Sequence, residues 1–506
     1  MTPMTYKSPT TAMKHQRAAL AACASKPPIP CPEDAFAYLM DMGTGKSKVV
    51  LDEWGEMATN GGPRDLLVIA PKGSVRNWYA DKGNLPEQWS ELRKHVDPEF
   101  RERLIDCTWV GGGVGWENSV RLMLAAHRDT RRPRALFVNV EALSNSRSEK
   151  ALNLCLEFAD QRGAHVVVDE STTIKGNSNR TDAVIKIGEA ALSRRILSGL
   201  WTPKSPMDLF YQCMFLDERI LGQKNFFTFR RRYATMIMQT NYSTGRKFPQ
   251  ITGFQNMEEL QARVAKYSYR VLKKDCLDLQ PKVYASRDVE LTAEQKKMLK
   301  EIKHFGHAAI GDTGKFVTTD MVIKRITREI QITCGYVMDD DERVLHEVPE
   351  NKTKMLLEVL EEHNGKAIIW CPWRAPLDKV VKRLSQEYGP CSVAQFHGGN
   401  SKTRVEEEIR FLSDPECLYM VATQGAGMRG NTWVVADLVV YYANNYDLEQ
   451  RDQSEDRAHR VGQTRSVTYV DLIVQGTIEN KVVQSLRKKI DLATMINREE
   501  YREWLI

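Results

Sequence analysis

Short apolar runs that stop abruptly at polar or glycine-rich turns constrain this chain more than any other feature. Five fall in the first 200 residues: Phe36–Met40, Leu66–Ala70, Ala135–Val140, Val166–Glu170 and Arg195–Gly199. Helix-like segments separate them. Runs this short suit buried strands rather than buried helices. Strands of that kind alternating with helices build a parallel α/β sheet. The rhythm resumes at Lys366–Cys371, Cys391–Phe396, Leu418–Thr423, Leu438–Ala443 and Val467–Ile473. Between about Pro203 and Asn351 it is missing, and charged segments such as "FFTFRRRYATMIMQ" and "TAEQKKMLKEIKHFGHAAI" read as helical. The expected fold class is α/β, with two parallel-sheet lobes and a mostly helical insertion and linker between them. The expected boundaries are 1–203, 204–350 and 351–506, the last ending in an amphipathic helix over "KVVQSLRKKIDLATMI".

Composition narrows the class further. With 27% charged and 42% apolar residues, a soluble globular protein is expected. No apolar run approaches the roughly 20 residues of a membrane span. The N-terminal "MTPMTYKSPTTAMKHQ" lacks the apolar centre of a signal peptide. A cytoplasmic location is expected, or the host cytoplasm for a viral chain. The ten Cys form no C-x-x-C pair, which points to reduced thiols without a zinc site or disulfide framework. A net charge of +6 permits a polyanionic partner without specifying one.

Chemistry enters at "MGTGKS" (Met42–Ser47). An apolar run precedes it and "KSKVVLDEWGEMA" has helical periodicity after it, giving strand, glycine loop, helix. The strict pattern G-x-x-x-x-G-K-[ST] has Met40 at its first position, where the loop has barely left the strand. Gly43 and Gly45 let backbone N–H groups turn toward phosphate oxygens, and the helix N-terminus favours negative charge. Lys46 is the candidate for the β/γ-phosphates and Ser47 for Mg²⁺. Met42 and Thr44 complete the loop. A plain glycine turn with a chance Lys-Ser is the bland alternative.

"HVVVDEST" (His165–Thr172) ends an apolar strand in two carboxylates. Asp169 is placed to hold Mg²⁺ at the carboxyl end of the strand, and Glu170 to orient a water. A helix cap is the ordinary use of such a pair. "EQRDQSEDRAHRVGQTRSVTYVDL" (Glu449–Leu472) is at first sight a solvated charge run. Within it Gln453, Arg457 and Arg460 fall at i, i+4 and i+7, which places them on one helical stripe. Such arginines can act as fingers toward a γ-phosphate held by the other lobe, with lobe closure on ATP.

The chain resembles superfamily-two helicases, and within them the Swi/Snf-like ATPases. "DQSEDRAHRVGQTRSV" matches that family's final motif, Q-x-x-x-R-x-H-R-x-G-Q, at Gln453, Arg457, His459, Arg460, Gly462 and Gln463. "MDMGTGKS" is similar to D-E-M-G-L-G-K-[ST], "LLVIAPKGSVRNW" to the nucleic-acid-facing motif after the second strand, and "DEST" to D-E-x-H. "FHGGNSKTRVEEEIRFL", "VATQGAGMRGNTW" and "GTIENKV" resemble motifs of the second lobe. Two departures stand out: "SGLWTP" carries two residues between Gly199 and Thr202 where the family has T-G-T-P, and Thr172 replaces a His.

The resemblance implies two RecA-like lobes that hydrolyse ATP with Mg²⁺ while gripping double-stranded or branched DNA. It implies that Gln16 recognises adenine, that Lys46, Asp169, Glu170, Arg457 and Arg460 carry catalysis, and that Gln453 lines the nucleotide site. Nucleic-acid contacts are expected at Lys72, Trp78, Ser144, Gln424 and Arg429. The expected activity is ATP-driven translocation on duplex DNA, as in remodelling or branch migration. A strand-separating DNA or RNA helicase, or the motor subunit of a DNA-processing or defence complex, is the alternative. No zinc module or reader domain is legible, no membrane is implied, and protein partners are left unspecified.

Overall fold

In the computed structural model every one of the ten apolar runs is a strand. The structure describes residues 6–27, 34–79, 90–109, 114–125, 132–144, 149–199, 201–202, 205–240, 247–305, 307–309, 316–318, 322–338, 345–400, 403–427, 432–444, 447–484 and 486–487. The chain divides into two compact units, Met1–Asp278 and Leu279–Ile506.

The first unit contains β1 (Asp34–Met40), β2 (Asp65–Ala70), β3 (Ile105–Trp109), β4 (Arg134–Asn139), β5 (Ala164–Asp169) and β6 (Ser193–Ser198). It continues with an antiparallel pair, β7 (Ala234–Thr240) and β8 (Lys247–Phe254), and with β9 (Ser268–Val271). Seven of these form one parallel sheet in the order β3-β4-β2-β5-β6-β1-β9. Side chains alternate across it. Ala35, Ala37 and Leu39 of β1 enter one apolar core, while Phe36, Tyr38 and Met40 enter the core on the other face. That is why the strand reads as an unbroken apolar run.

Polar residues inside these strands are paired. Arg195 of β6 is fully buried, with Nη2 2.6 Å from Glu53 Oε1 and 2.5 Å from Asp34 Oδ2. Burial pushes Glu53 up, but the Arg195 guanidinium wins and holds it below its ordinary value. Asp34 opens β1, so this cluster locks the end of the strand opposite to the glycine loop.

The second unit contains β10 (Val283–Val289), the short antiparallel pairs β11 (His307–Ala309)/β12 (Phe316–Thr318) and β13 (Tyr336–Met338)/β14 (Leu345–Glu347), then β15 (Lys366–Cys371), β16 (Val393–Phe396), β17 (Tyr419–Thr423), β18 (Ala436–Tyr441) and β19 (Thr468–Val474). Its main sheet is again all parallel, in the order β10-β19-β18-β15-β17-β16. Ile369 and Cys371 of β15 face one core, Ile368 and Trp370 the other. Two parallel-sheet units are therefore present.

The segment 204–350, expected to be mostly helical, is divided between the two units and also contains strands. It carries helices such as Phe226–Tyr233 and Met257–Ala265, but also β7 to β14. β9 extends the first sheet beside β1, and β10 extends the second beside β19. Both are edge strands. β10 alternates between exposed and half-buried positions, so it lacks the unbroken apolar run of a central strand. The C-terminal helix expected over 481–496 lies largely outside the described residues. Among those described, no helix is long and apolar enough to cross a membrane.

Candidate nucleotide site

Helix α1 (Lys14–Ala24) and helix α2 (Lys46–Thr59) frame the glycine loop. β1 ends at Met40, and the chain turns through Gly43 at φ 80° and Gly45 at φ 85° into α2. Positive φ is strained for any residue with a side chain, which is why glycine stands at both positions. A Cβ at Gly45 would lie 2.2 Å from Gln16 Nε2, so a side chain there would also have to displace Gln16. The turn is closed from below by Thr44, whose hydroxyl donates to the Asp41 carbonyl at 2.7 Å.

Lys46 Nζ donates to the Met40 carbonyl at 3.0 Å. The ammonium thus lies folded over the loop, next to where phosphate oxygens would enter. Gln16 is buried; its Nε2 donates to the Thr44 carbonyl at 3.1 Å and its Oε1 accepts from Met13 N at 2.9 Å. Gln16 therefore grips the loop itself in this structure. Asp41 accepts from Lys273 N at 2.9 Å through Oδ2, which ties the loop to the segment after β9. No local sequence pattern points to this second brace.

β5 is separated from β1 only by β6, so Asp169 and the glycine loop lie at the carboxyl ends of near-neighbour parallel strands. Ligands of open α/β sheets bind at that edge. Burial, and then the Glu170 carboxylate, push Asp169 up to about 6, against the pull of Lys46 and of a hydrogen bond from Trp78. Glu170 follows at φ 51°, left-handed for a residue with a side chain, and its N–H donates to Asp169 Oδ1 at 3.0 Å. Left-handed non-glycine backbone stores of order 1–3 kcal/mol and clusters at working sites.

These residues fit a magnesium-bound nucleoside triphosphate. The loop supplies N–H donors, a lysine and the Ser47 hydroxyl; β5 supplies a carboxylate. Mg²⁺ takes few protein ligands and keeps phosphate and water oxygens for the rest. Among the described residues, no group of three or more His, Cys, Asp or Glu could hold a metal ion.

Corrections fall elsewhere. Trp78 was expected on the nucleic-acid surface. It ends helix α3 (Lys72–Trp78), is 1% exposed, and its indole Nε1 donates to Asp169 Oδ2 at 3.0 Å. A side chain so enclosed cannot reach a phosphate backbone. Gln424 is likewise 1% exposed and is no surface contact as it stands. Lys72 is exposed, with its backbone N–H held by Glu141 Oε2 at 3.0 Å. Ser144 is half-buried and its hydroxyl accepts from Arg180 Nε at 2.9 Å. Arg429 lies outside the described residues.

In the second unit the helical stripe is interrupted. The helix Leu448–Glu455 ends before Arg457. Arg457 is fully buried; its Nε donates back to the Gln453 carbonyl at 2.9 Å, and its own carbonyl accepts from Trp433 N at 2.8 Å. The Trp433 bond ties the turn after the helix to a segment 24 residues earlier in the chain. Arg460 is half-buried, with Nη1 2.9 Å from Thr432 Oγ1. Gln463 bolts the turn by donating to the Val434, Ala436 and Ala458 carbonyls. Gln453 is buried near the helix end.

A glycine loop and an acidic pair on one parallel sheet, with a second parallel-sheet unit behind them in sequence, mark the RecA-like class of nucleotide-handling cores. Residues 351–462 match the family described as helicase conserved C-terminal domain. The chain is 25% identical over 263 residues to Protein CHROMATIN REMODELING 4 of Arabidopsis thaliana, covering 49% of this chain and 12% of that one. It is 22% identical over 389 residues to TATA-binding protein-associated factor MOT1 of Saccharomyces cerevisiae, covering 66% and 20%. The chain thus spans about a fifth or less of the length of these relatives. Among solved structures, the Sulfolobus solfataricus SWI2/SNF2 ATPase core in complex with dsDNA aligns over 97% of this chain and 94% of that one, at 19% identity and a TM-score of 0.40. The Swi/Snf-like resemblance read from the motifs is borne out by the sequence matches.

Proposed function

We propose that this chain is a DNA-dependent ATPase of the Swi/Snf-like type that uses ATP hydrolysis to move along duplex DNA. The observation that carries this reading is the pairing of the Gly43–Ser47 loop with Asp169–Glu170 at one sheet edge, in a chain whose residues 351–462 match a helicase domain. Bound Mg²⁺–ATP would supply the energy-rich phosphoanhydride and the charge that draws these groups together. Lys46 leaves the Met40 carbonyl for the phosphates, a short swing for a flexible side chain. Ser47 and Asp169 would hold the cation. Glu170, fixed by its strained backbone, orients the attacking water. Arg460, half-buried, is proposed to offset the charge that develops on the transferred phosphoryl group, and the fully buried Arg457 to hold the turn that carries it. Gln16 is proposed to exchange its grip on Thr44 for the adenine edge. Lys72, Ser144 and Arg429 are proposed contacts for the DNA backbone, giving affinity that falls steeply with salt.

Lys46→Ala and Glu170→Gln test the site directly. Each is expected to abolish ATP turnover, with Glu170→Gln retaining nucleotide binding. Parent-level turnover in either variant contradicts the proposal.

A further inference from the structure

Trp78 offers more than a filled core position. Both oxygens of the Asp169 carboxylate are held by one donor each: Oδ1 by the Glu170 N–H and Oδ2 by the Trp78 indole N–H, both at 3.0 Å. The indole nitrogen is a donor only, so it cannot turn to serve a cation itself. Its place is fixed on both sides. The ring packs in the apolar core with Val75, and the Trp78 carbonyl accepts from the Ser90 hydroxyl at 3.3 Å. Any large apolar residue would fill the space. Only a donor at the ring edge aims Asp169.

We propose that Trp78 is a positioning residue for the cation-binding face of Asp169, and that α3 mechanically links this carboxylate to the nucleic-acid surface. The proposal rests on the reading of the site given above. α3 opens at the exposed Lys72 and closes at Trp78. Seven residues of helix span about 10 Å. A rigid element of that length passes a small displacement at Lys72 to the indole, and the indole passes it to Asp169. Duplex DNA then stimulates hydrolysis by orienting the carboxylate, with no contact between DNA and the nucleotide site.

Trp78→Phe keeps the buried ring and removes the N–H. Two readouts separate aim from packing. The first is the Mg²⁺ dependence of binding of a fluorescent ADP analogue, with no turnover involved. Supporting groups around metal ligands typically control affinity 10–100-fold, so half-saturating Mg²⁺ is expected to rise at least about 10-fold. The second is steady-state hydrolysis with saturating duplex DNA, where kcat is expected to fall about 10-fold or more while KM for ATP changes less than about 2-fold. Val75→Ala, on the same helix, is the packing control. It should lower the urea midpoint and leave the Mg²⁺ dependence at the parent value. If Trp78→Phe does not fold, the benzothienyl analogue of tryptophan at position 78 preserves shape and replaces N–H by sulfur. Parent-like Mg²⁺ dependence and kcat in either replacement overturn the proposal. A parent protein that binds the analogue with Mg²⁺ but ignores duplex DNA fails the proposed function and the α3 link, while the Mg²⁺ readout still decides the role of Trp78 at Asp169.

Discussion

Asp169→Asn is expected to stabilise the protein above about pH 6, and to lose that advantage toward acid. The folded carboxyl titrates at about 6 instead of 3.8, because burial and Glu170 oppose its ionisation. The folded state therefore binds the proton more tightly than the unfolded chain. The sign follows from linkage: stability contributed by this group is complete below about pH 3.8 and declines as pH rises to about 6, above which the loss is constant. Integrating over that interval, the ionised carboxylate costs about 1 kcal/mol at about pH 4.5 and about 3 kcal/mol at about pH 8. Asparagine removes the cost but satisfies only one of the two N–H donors now facing Asp169, an offset of about 1–2 kcal/mol that does not vary with pH. The informative quantity is the change in the variant-minus-parent difference. Urea unfolding without nucleotide or Mg²⁺, at the two pH values, should show the variant gaining about 2 kcal/mol more at the higher pH. A difference that stays flat, or that grows toward acid, refutes the burial argument. The variant should also lack ATP turnover, because a stabilised neutral amide cannot hold the cation.

Other perturbations follow from the same geometry. Gly45→Ala places a Cβ 2.2 Å from Gln16 Nε2 on left-handed backbone, so it should lose about 1–2 kcal/mol of stability and weaken nucleotide binding at least about 10-fold, read by urea unfolding and analogue titration. Arg195→Met leaves the buried Glu53 and the half-buried Asp34 without their guanidinium and should cost about 3–5 kcal/mol in the same unfolding assay. Arg460→Ala should bind ATP like the parent yet turn it over about 10³-fold more slowly, measured by equilibrium binding beside steady-state hydrolysis.

Much of the fold was legible because buried parallel strands announce themselves. β1, β2, β4, β5 and β6 alternate between two apolar cores, so every position is apolar or paired, as Arg195 is. Edge strands carry no such signature. β9 is four residues long, and β10 mixes Tyr284 with Arg287 and Asp288, so both were hidden in a segment that reads as helical. Periodicity also overran its limit at the second unit, where Arg457 is counted on a helix that ends at Glu455. At the site, local sequence placed the glycine loop and the acidic pair together because both follow strand ends. It could not place Trp78, whose partner Asp169 is 91 residues away, nor the brace from Asp41 to Lys273, 232 residues away. Motif position alone pointed Trp78 outward; burial decides that it points in.

The most direct test is the steady-state ATPase rate measured with no nucleic acid, with single-stranded DNA, with duplex DNA and with RNA. Expected is the largest stimulation by duplex DNA, diminishing as salt is raised. Hydrolysis that is indifferent to duplex DNA, or stimulated only by single strands or RNA, would contradict a duplex-tracking motor.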